Sequence, residues 1–340
     1  MKKIAISLTF ILLSAVAASA QTTPPLTLAR TILLPGVKGR FDHLAIDAAG
    51  NQLFLAAPGN HSVEVIDLKT DKVRQSIIGL GKPHGLAWAA STGSLYISDG
   101  VLGELRVYKG TPLALAGTIK LSEDADDMAY DGAHHLLFVG HGGSDAANPA
   151  KIAMVDVDSF TLAADLPVAT HPEGLDIDAQ TERVFANIAD SHEVTVVDEV
   201  GKRITAHWKL ANAADNVPLA FDGAHNLLYL ACRTPGTVIA LDAATGKEVS
   251  SMPAAGKADD LFYDPALGRV YVISGAGEVE AFQVDEARKL HSLGVLRTAD
   301  AAKTALFVAA QNLFYVAVPG AGVTPAEIRV YSTAKTGMAQ

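Results

Sequence analysis

An aromatic residue held between apolar neighbours returns seven times along the chain: Leu53-Phe54-Leu55, Leu95-Tyr96-Ile97, Leu137-Phe138-Val139, Val184-Phe185-Ala186, Leu228-Tyr229-Leu230, Val270-Tyr271-Val272 and Phe314-Tyr315-Val316. Successive aromatics are 42, 42, 47, 44, 42 and 44 residues apart. A second apolar anchor precedes each copy at a constant offset, as Leu44, Leu86, Met128, Leu175, Leu219, Leu261 and Ala305. Self-similarity at such a period marks an array of like units that share one continuous core.

Turn chemistry divides each unit into strands. His43-Leu44-Ala45-Ile46 is a first strand, and pairs such as Asp131-Gly132 and Asp222-Gly223 turn the chain into the aromatic-bearing second strand. A third strand follows, as in Val63-Glu64-Val65-Ile66, and then a more polar fourth, as in Val73-Arg74-Gln75-Ser76-Ile77. The inner strands are apolar on both sides, which suits a sheet packed between two other sheets. Four antiparallel strands per unit predict an all-β, seven-bladed β-propeller. The seventh copy lacks its fourth strand, and Ala29-Arg30-Thr31-Ile32-Leu33-Leu34 at the other end of the chain can supply it. That pairing closes the ring and removes the open edges of a linear stack. The expected propeller spans 28–332, with flexible segments at 21–27 and 333–340.

The sequence resembles the YVTN or YncE-like family of seven-bladed propeller repeats. The resemblance rests on Leu95-Tyr96-Ile97-Ser98, on Val63-Glu64-Val65-Ile66-Asp67-Leu68-Lys69-Thr70, and on Val238-Ile239-Ala240-Leu241-Asp242 with Thr245-Gly246-Lys247. It implies the same closed ring. It also implies kinship with a group in which some members are exported and linked to DNA or cell-surface binding.

Lys2 and Lys3 precede an uncharged apolar run from Ile4 to Ala18, and Ala18-Ser19-Ala20 supplies small residues at a cut site. This is the pattern of a secretory signal peptide over 1–20, cleaved after Ala20, and it predicts a periplasmic or secreted protein. The run is shorter than the roughly 20 residues of a spanning helix, and no later segment is apolar enough, so no membrane span is expected in the mature chain. With 27 basic and 37 acidic residues the formal charge is −10, and losing Lys2 and Lys3 takes it to −12. A duplex-binding surface needs clustered Lys and Arg, so nucleic acid is a poor partner for this chain. The single cysteine, Cys232, excludes an intramolecular disulfide and an all-cysteine metal site. It reads as a buried thiol, the alternative being a nucleophile activated by Arg233.

Propeller geometry puts every blade's entry loop at one mouth of the central channel. Two positions before the anchors stand Asp42, His84, Asp126, Glu173, Val217, Asp259 and Lys303, of which six are ionisable and four acidic. His43, Asp127 and Asp260 come one position later, with Arg40 just before blade 1. The loops after the second strands add His61, Asp99, His141, Asp145, Asp190, His192 and Arg233, and His171 precedes Glu173. Convergent polar groups in a concavity make this face the candidate site, with Arg40, Asp42, His84, Asp126, Asp127, Glu173, Asp259, Asp260 and Lys303 as ligand-binding residues. Asp126-Asp127 and Asp259-Asp260 stand three blades apart on facing walls, where paired acids can hold a divalent cation. An Asp before a strand can equally bond nearby backbone N–H groups.

Sharper signatures are missing: there is no His-Glu-x-x-His, Cys-x-x-Cys or Gly-x-Ser-x-Gly. Gly79-Leu80-Gly81-Lys82-Pro83-His84-Gly85 reads as a blade entry, and the glycines of His141-Gly142-Gly143-Ser144-Asp145 suit an irregular loop. The reading that follows is an exported, monomeric binding propeller whose channel mouth takes a small ligand, a cation or an envelope protein. The alternative is a metal-assisted lactonase, hydrolase or lyase. In it Asp42, His84, Asp126, Glu173 and Asp259 surround a divalent metal and His43 or His141 is the base.

Overall fold

The structure, a computed structural model, describes residues 25–333. The signal peptide expected over 1–20 and its cleavage site lie outside the described residues. Seven sheets of four antiparallel strands make up the fold, and the first strands of neighbouring blades touch all the way round, blade 7 against blade 1. Blades 1 to 6 are each continuous in sequence; blade 1, for example, comprises Leu44–Asp47, Gln52–Ala57, Ser62–Asp67 and Lys72–Ile78. Blade 7 takes Ala305–Val308, Leu313–Val318 and Ala326–Thr333 from the end of the chain and Leu26–Leu34 from its start. The closing pair runs in register from Leu26 opposite Thr333 to Leu34 opposite Ala326. These strands begin two residues before, and end one residue after, the boundaries expected from the repeat.

Burial follows the strand order within a blade. Ser94–Asp99 and Arg269–Ser274 are buried at every position, because both faces of an inner strand meet other sheets. The outermost Arg203–Lys209 alternates between exposed and partly buried, as an edge strand facing water does. The seven repeat aromatics are all buried. Four of them pack against a ring two positions after the next blade's anchor: Phe54 stacks on Trp88 (5.4 Å between ring centres), and Phe185 meets Phe221 (5.4 Å), Tyr229 meets Tyr263 (5.2 Å) and Tyr271 meets Phe307 (6.1 Å) at a tilt. Each such pair contributes about 0.5–1.5 kcal/mol beyond its buried area, so the repeat aromatic is the joint between blades.

Two further features position the site. The pairing of first and second strands slips between Pro83 and Leu86, Pro172 and Leu175, Asn216 and Leu219, and Ala258 and Asp260. These bulges fall just before the anchors, and in blades 4 and 6 they coincide with Glu173 and Asp259 of the cavity lining. The long step of 47 residues has a regular cause where an irregular loop was expected. Leu136–Asp145 and Asn148–Asp156 extend as a paired hairpin, with a bulge at Gly143 and Ser144.

Candidate functional site

The blade entries converge on a cavity of about 360 Å³ in the central channel. Eight of the nine candidate ligand-binding residues line it: Arg40, Asp42, Asp126, Asp127, Glu173, Asp259, Asp260 and Lys303, together with His43. Trp88, Tyr130, Phe262 and Leu306 add an apolar surface to this polar lining. The ninth, His84, is buried behind the wall and reaches Asp42 and Asp126 from there.

On one wall Asp42 accepts a hydrogen bond from Arg40 and another from His84 Nδ1 at 2.5 Å. Asp126 Oδ1 lies 3.5 Å from the same nitrogen. Burial raises the Asp42 carboxyl, but the bond from His84 and the charges of His43, His84 and Lys303 outweigh it and hold Asp42 below the usual carboxylate range. His84 Nε2 is buried without a hydrogen-bond partner among the described residues. Gly100 packs against this edge of the ring, so that a Cβ there would lie 3.0 Å from His84 Cδ2. Ligand atoms of Asp42, His84 and Asp126 lie within 4.8 Å of one another, which is metal-binding spacing, although Arg40 already occupies the Asp42 carboxylate.

The opposite wall is a second ion-paired cluster. Asp259 accepts from Arg233 Nη2 at 2.5 Å and from Lys303, while Arg233 Nε donates to the Ala258 carbonyl at 2.8 Å. Arg233, placed on this face by the sequence though not among the candidate ligand-binding residues, is carried by the end of the second strand of the preceding blade, Leu227–Thr234. Glu173 stands between the two walls. Burial and the like charges of Asp126 and Asp259 push its pKa up against the pull of His171 and Arg233.

His43 crosses the channel. Its Nδ1 lies 3.7 Å from Asp127 and 3.8 Å from Asp260, and its Nε2 is 3.8 Å from Asp126. Burial works against a charge here, but Asp127, Asp260, Asp42 and Asp126 raise the imidazole to about 10, so it is an imidazolium at neutral pH. Burial also pushes Asp260 up to about 7, despite the opposing charge of His43, and moves Asp127 in the same direction. Both acids have a second occupation. Asp127 accepts from the backbone of Leu175 at 3.2 Å and Asp260 from that of Ala305 at 2.7 Å, each pinning the first strand of the next blade. Asp176 repeats the device on Phe221 at 2.7 Å, and burial lifts it to about 6.

His141 is not brought to the channel. Its Nδ1 accepts from the Ser122 backbone at 3.1 Å, its Nε2 faces Asp165 on the outer strand at 2.9 Å, and burial lowers its pKa. Both nitrogens are thus engaged within blade 3. His61 and Asp99 are likewise spent on backbone groups: His61 on Gly81 O at 2.6 Å, Asp99 on the N–H groups of Gly81 and Lys82 at 2.6 and 2.9 Å. Cys232 is buried and its thiol is pushed up to about 12, while Arg233 turns to Asp259.

Among solved structures, a chain of a mitotic checkpoint complex matches with a TM-score of 0.76 at 13% identity, over 98% of this chain and 100% of that one. A chain of the hydrazine synthase of Kuenenia stuttgartiensis matches with 0.72 at 14%, over 83% and 95%. U3-55K matches with 0.74 at 12%, over 89% and 98%. At such identities the likeness is one of fold. No family model matches the sequence, and no curated protein matches it.

Proposed function

We propose that this protein is an exported binding module of the YVTN or YncE-like kind that captures a small, positively charged ligand at the mouth of its central channel. A rigid ring presenting polar loops around one concavity supports a binding role. The observation that carries the choice of ligand is the charge of the lining: six carboxylates, Asp42, Asp126, Asp127, Glu173, Asp259 and Asp260, against Arg40, Lys303 and His43. Glu173 lines the cavity with no hydrogen bond or ion pair to Arg40, His43 or Lys303 among the described residues, so an incoming ammonium finds an acceptor there. The apolar part of the lining, with Trp88 and Phe262, suits the carbon skeleton that carries such a charge. Export is supported by the basic and apolar leader read in residues 1–20.

The metal-assisted reading has the Asp42, His84 and Asp126 cluster in its favour. Neither histidine expected to be its base is free for that role, because His43 is held protonated and both nitrogens of His141 are occupied. Calorimetric titration of the folded protein with a monoamine, a diamine and a quaternary ammonium ion tests the binding proposal. One site per chain is expected, and changing Asp126→Asn together with Glu173→Gln weakens it by about tenfold or more, 1.4 kcal/mol per decade, with the unfolding midpoint little changed. Silence from all three probes, or an unweakened double variant, overturns it.

A further inference from the structure

The turn between the first and second strands of blade 3 reads Asp131-Gly132-Ala133-His134, and blade 5 repeats it as Asp222-Gly223-Ala224-His225. Both turns lie on the face opposite the entry loops, and both are built alike. Asp131 Oδ1 accepts the N–H groups of Ala133 (2.7 Å) and His134 (3.2 Å) and its Oδ2 faces His134 Nδ1 at 2.8 Å. Asp222 does the same with Ala224 (3.1 Å), His225 (3.2 Å) and His225 Nδ1 (2.7 Å). These contacts explain the turns and by themselves call for no ligand.

Blade 4 sends an unusual residue toward the turn of blade 3. After the third strand the chain makes one more backbone bond: Leu68 N–H to Asn51, Val157 to His135, Ala243 to Asn226, and Glu199 to Glu182. Val157 and Ala243 fill that slot as fully buried apolar residues, and Leu68 packs against the core. In blade 4 the same slot holds Glu199, only 2% exposed, and neither of its carboxylate oxygens has a hydrogen-bond partner among the described residues. Its Oε2 points at blade 3, 3.5 Å from His134 Nδ1, and ligand atoms of Asp131, His134 and Glu199 lie within 4.8 Å of one another. Glu182 stands at the rim, its Oε1 3.6 Å from His134 Nε2.

A carboxylate buried beside a second carboxylate, with no donor in hydrogen-bonding geometry, is stabilised by taking up a proton or by binding a cation. Two carboxylate oxygens and one imidazole nitrogen at this spacing form the donor set of a borderline divalent metal such as Zn²⁺; Ca²⁺ and Mg²⁺ favour all-oxygen sites. We propose that Asp131, His134 and Glu199 form a divalent transition-metal site that ties blade 3 to blade 4 on the face opposite the channel mouth. Asp131 keeps Oδ1 on the turn and offers Oδ2, His134 offers Nδ1, Glu199 closes the site from the next blade, and water fills the remaining positions. The site is independent of the ligand at the mouth.

The test is titration of the metal-free full chain with Zn²⁺ alone, followed by calorimetry and by thermal unfolding. One ion per chain is expected, with a raised unfolding temperature that a chelator reverses. Glu199→Gln weakens binding by roughly tenfold or more and removes the thermal shift, and His134→Ala, a change at a partly exposed side chain, does the same should the first variant fold poorly. His225→Ala, in the twin turn that lacks the buried glutamate, leaves Zn²⁺ binding unchanged. No bound Zn²⁺ in the unaltered protein, or binding that survives both Glu199→Gln and His134→Ala, overturns the proposal.

Discussion

His43 shows how a ring turns distant residues into one electrostatic unit. It belongs to blade 1, yet its charge is set by Asp126 and Asp127 of blade 3 and Asp260 of blade 6. Its folded pKa, about 10, lies above the ordinary value of 6.5. The stability it contributes is therefore whole below about pH 6.5 and is lost as the pH rises toward 10. Asp260, raised from 3.8 to about 7, acts in the same direction over the lower window. Urea unfolding at pH 6 and pH 9 checks this: the protein is expected to be less stable at pH 9, and His43→Asn to narrow the gap. An unchanged gap in the variant would place the pH dependence elsewhere. None of these partnerships is visible along the sequence, because nothing in a spacing of 84 or 217 residues says which side chains meet across a channel. The identities of the mouth residues were legible, and their pairings were not.

At the scale of the strand, the closing element Leu26–Leu34 carries the ring. Leu26, Ile32 and Leu34 are buried, and its backbone covers the edge of Ala326–Thr333, which would otherwise stand open. Ile32→Ala is expected to cost about 2–5 kcal/mol in denaturant unfolding, while Leu33→Ala, at an exposed position, costs little. Equal effects at the two positions would contradict the closure. The strand was legible because the seventh repeat is one strand short and the start of the chain supplies a matching pattern. The aromatic joints were legible as a period, since burial against two neighbours demands a large apolar group at one fixed place. The bulges were not, because they fall just ahead of the anchors, where the blade entries carry no apolar alternation to record the extra residue. His141 shows the consequence of a missed extension. Counted as a loop residue it belongs near the channel, but the longer hairpin of blade 3 directs it to Asp165 on the outer strand.

Across the whole molecule the two faces of the disc divide the chemistry. The entry face gathers acids and cations round a cavity, whereas the opposite face spends its Asp residues on turns, and at Asp131 that turn also meets the buried Glu199 of the next blade. Glu199 could have been found in the sequence by aligning the residue after each third strand, where a carboxylate replaces Leu68, Val157 and Ala243. Fold alone assigns no ligand, since one architecture hosts unrelated activities. The assignment of a cationic ligand rests on the carboxylate excess at the mouth. The most direct measurement is anomalous diffraction from crystals grown with a bromine-bearing ammonium ion. A bromine peak in the channel mouth, with the ammonium against Asp126 and Glu173, is the predicted result. Bromine confined to the outer rims of the blades, with the mouth holding only water, would contradict it.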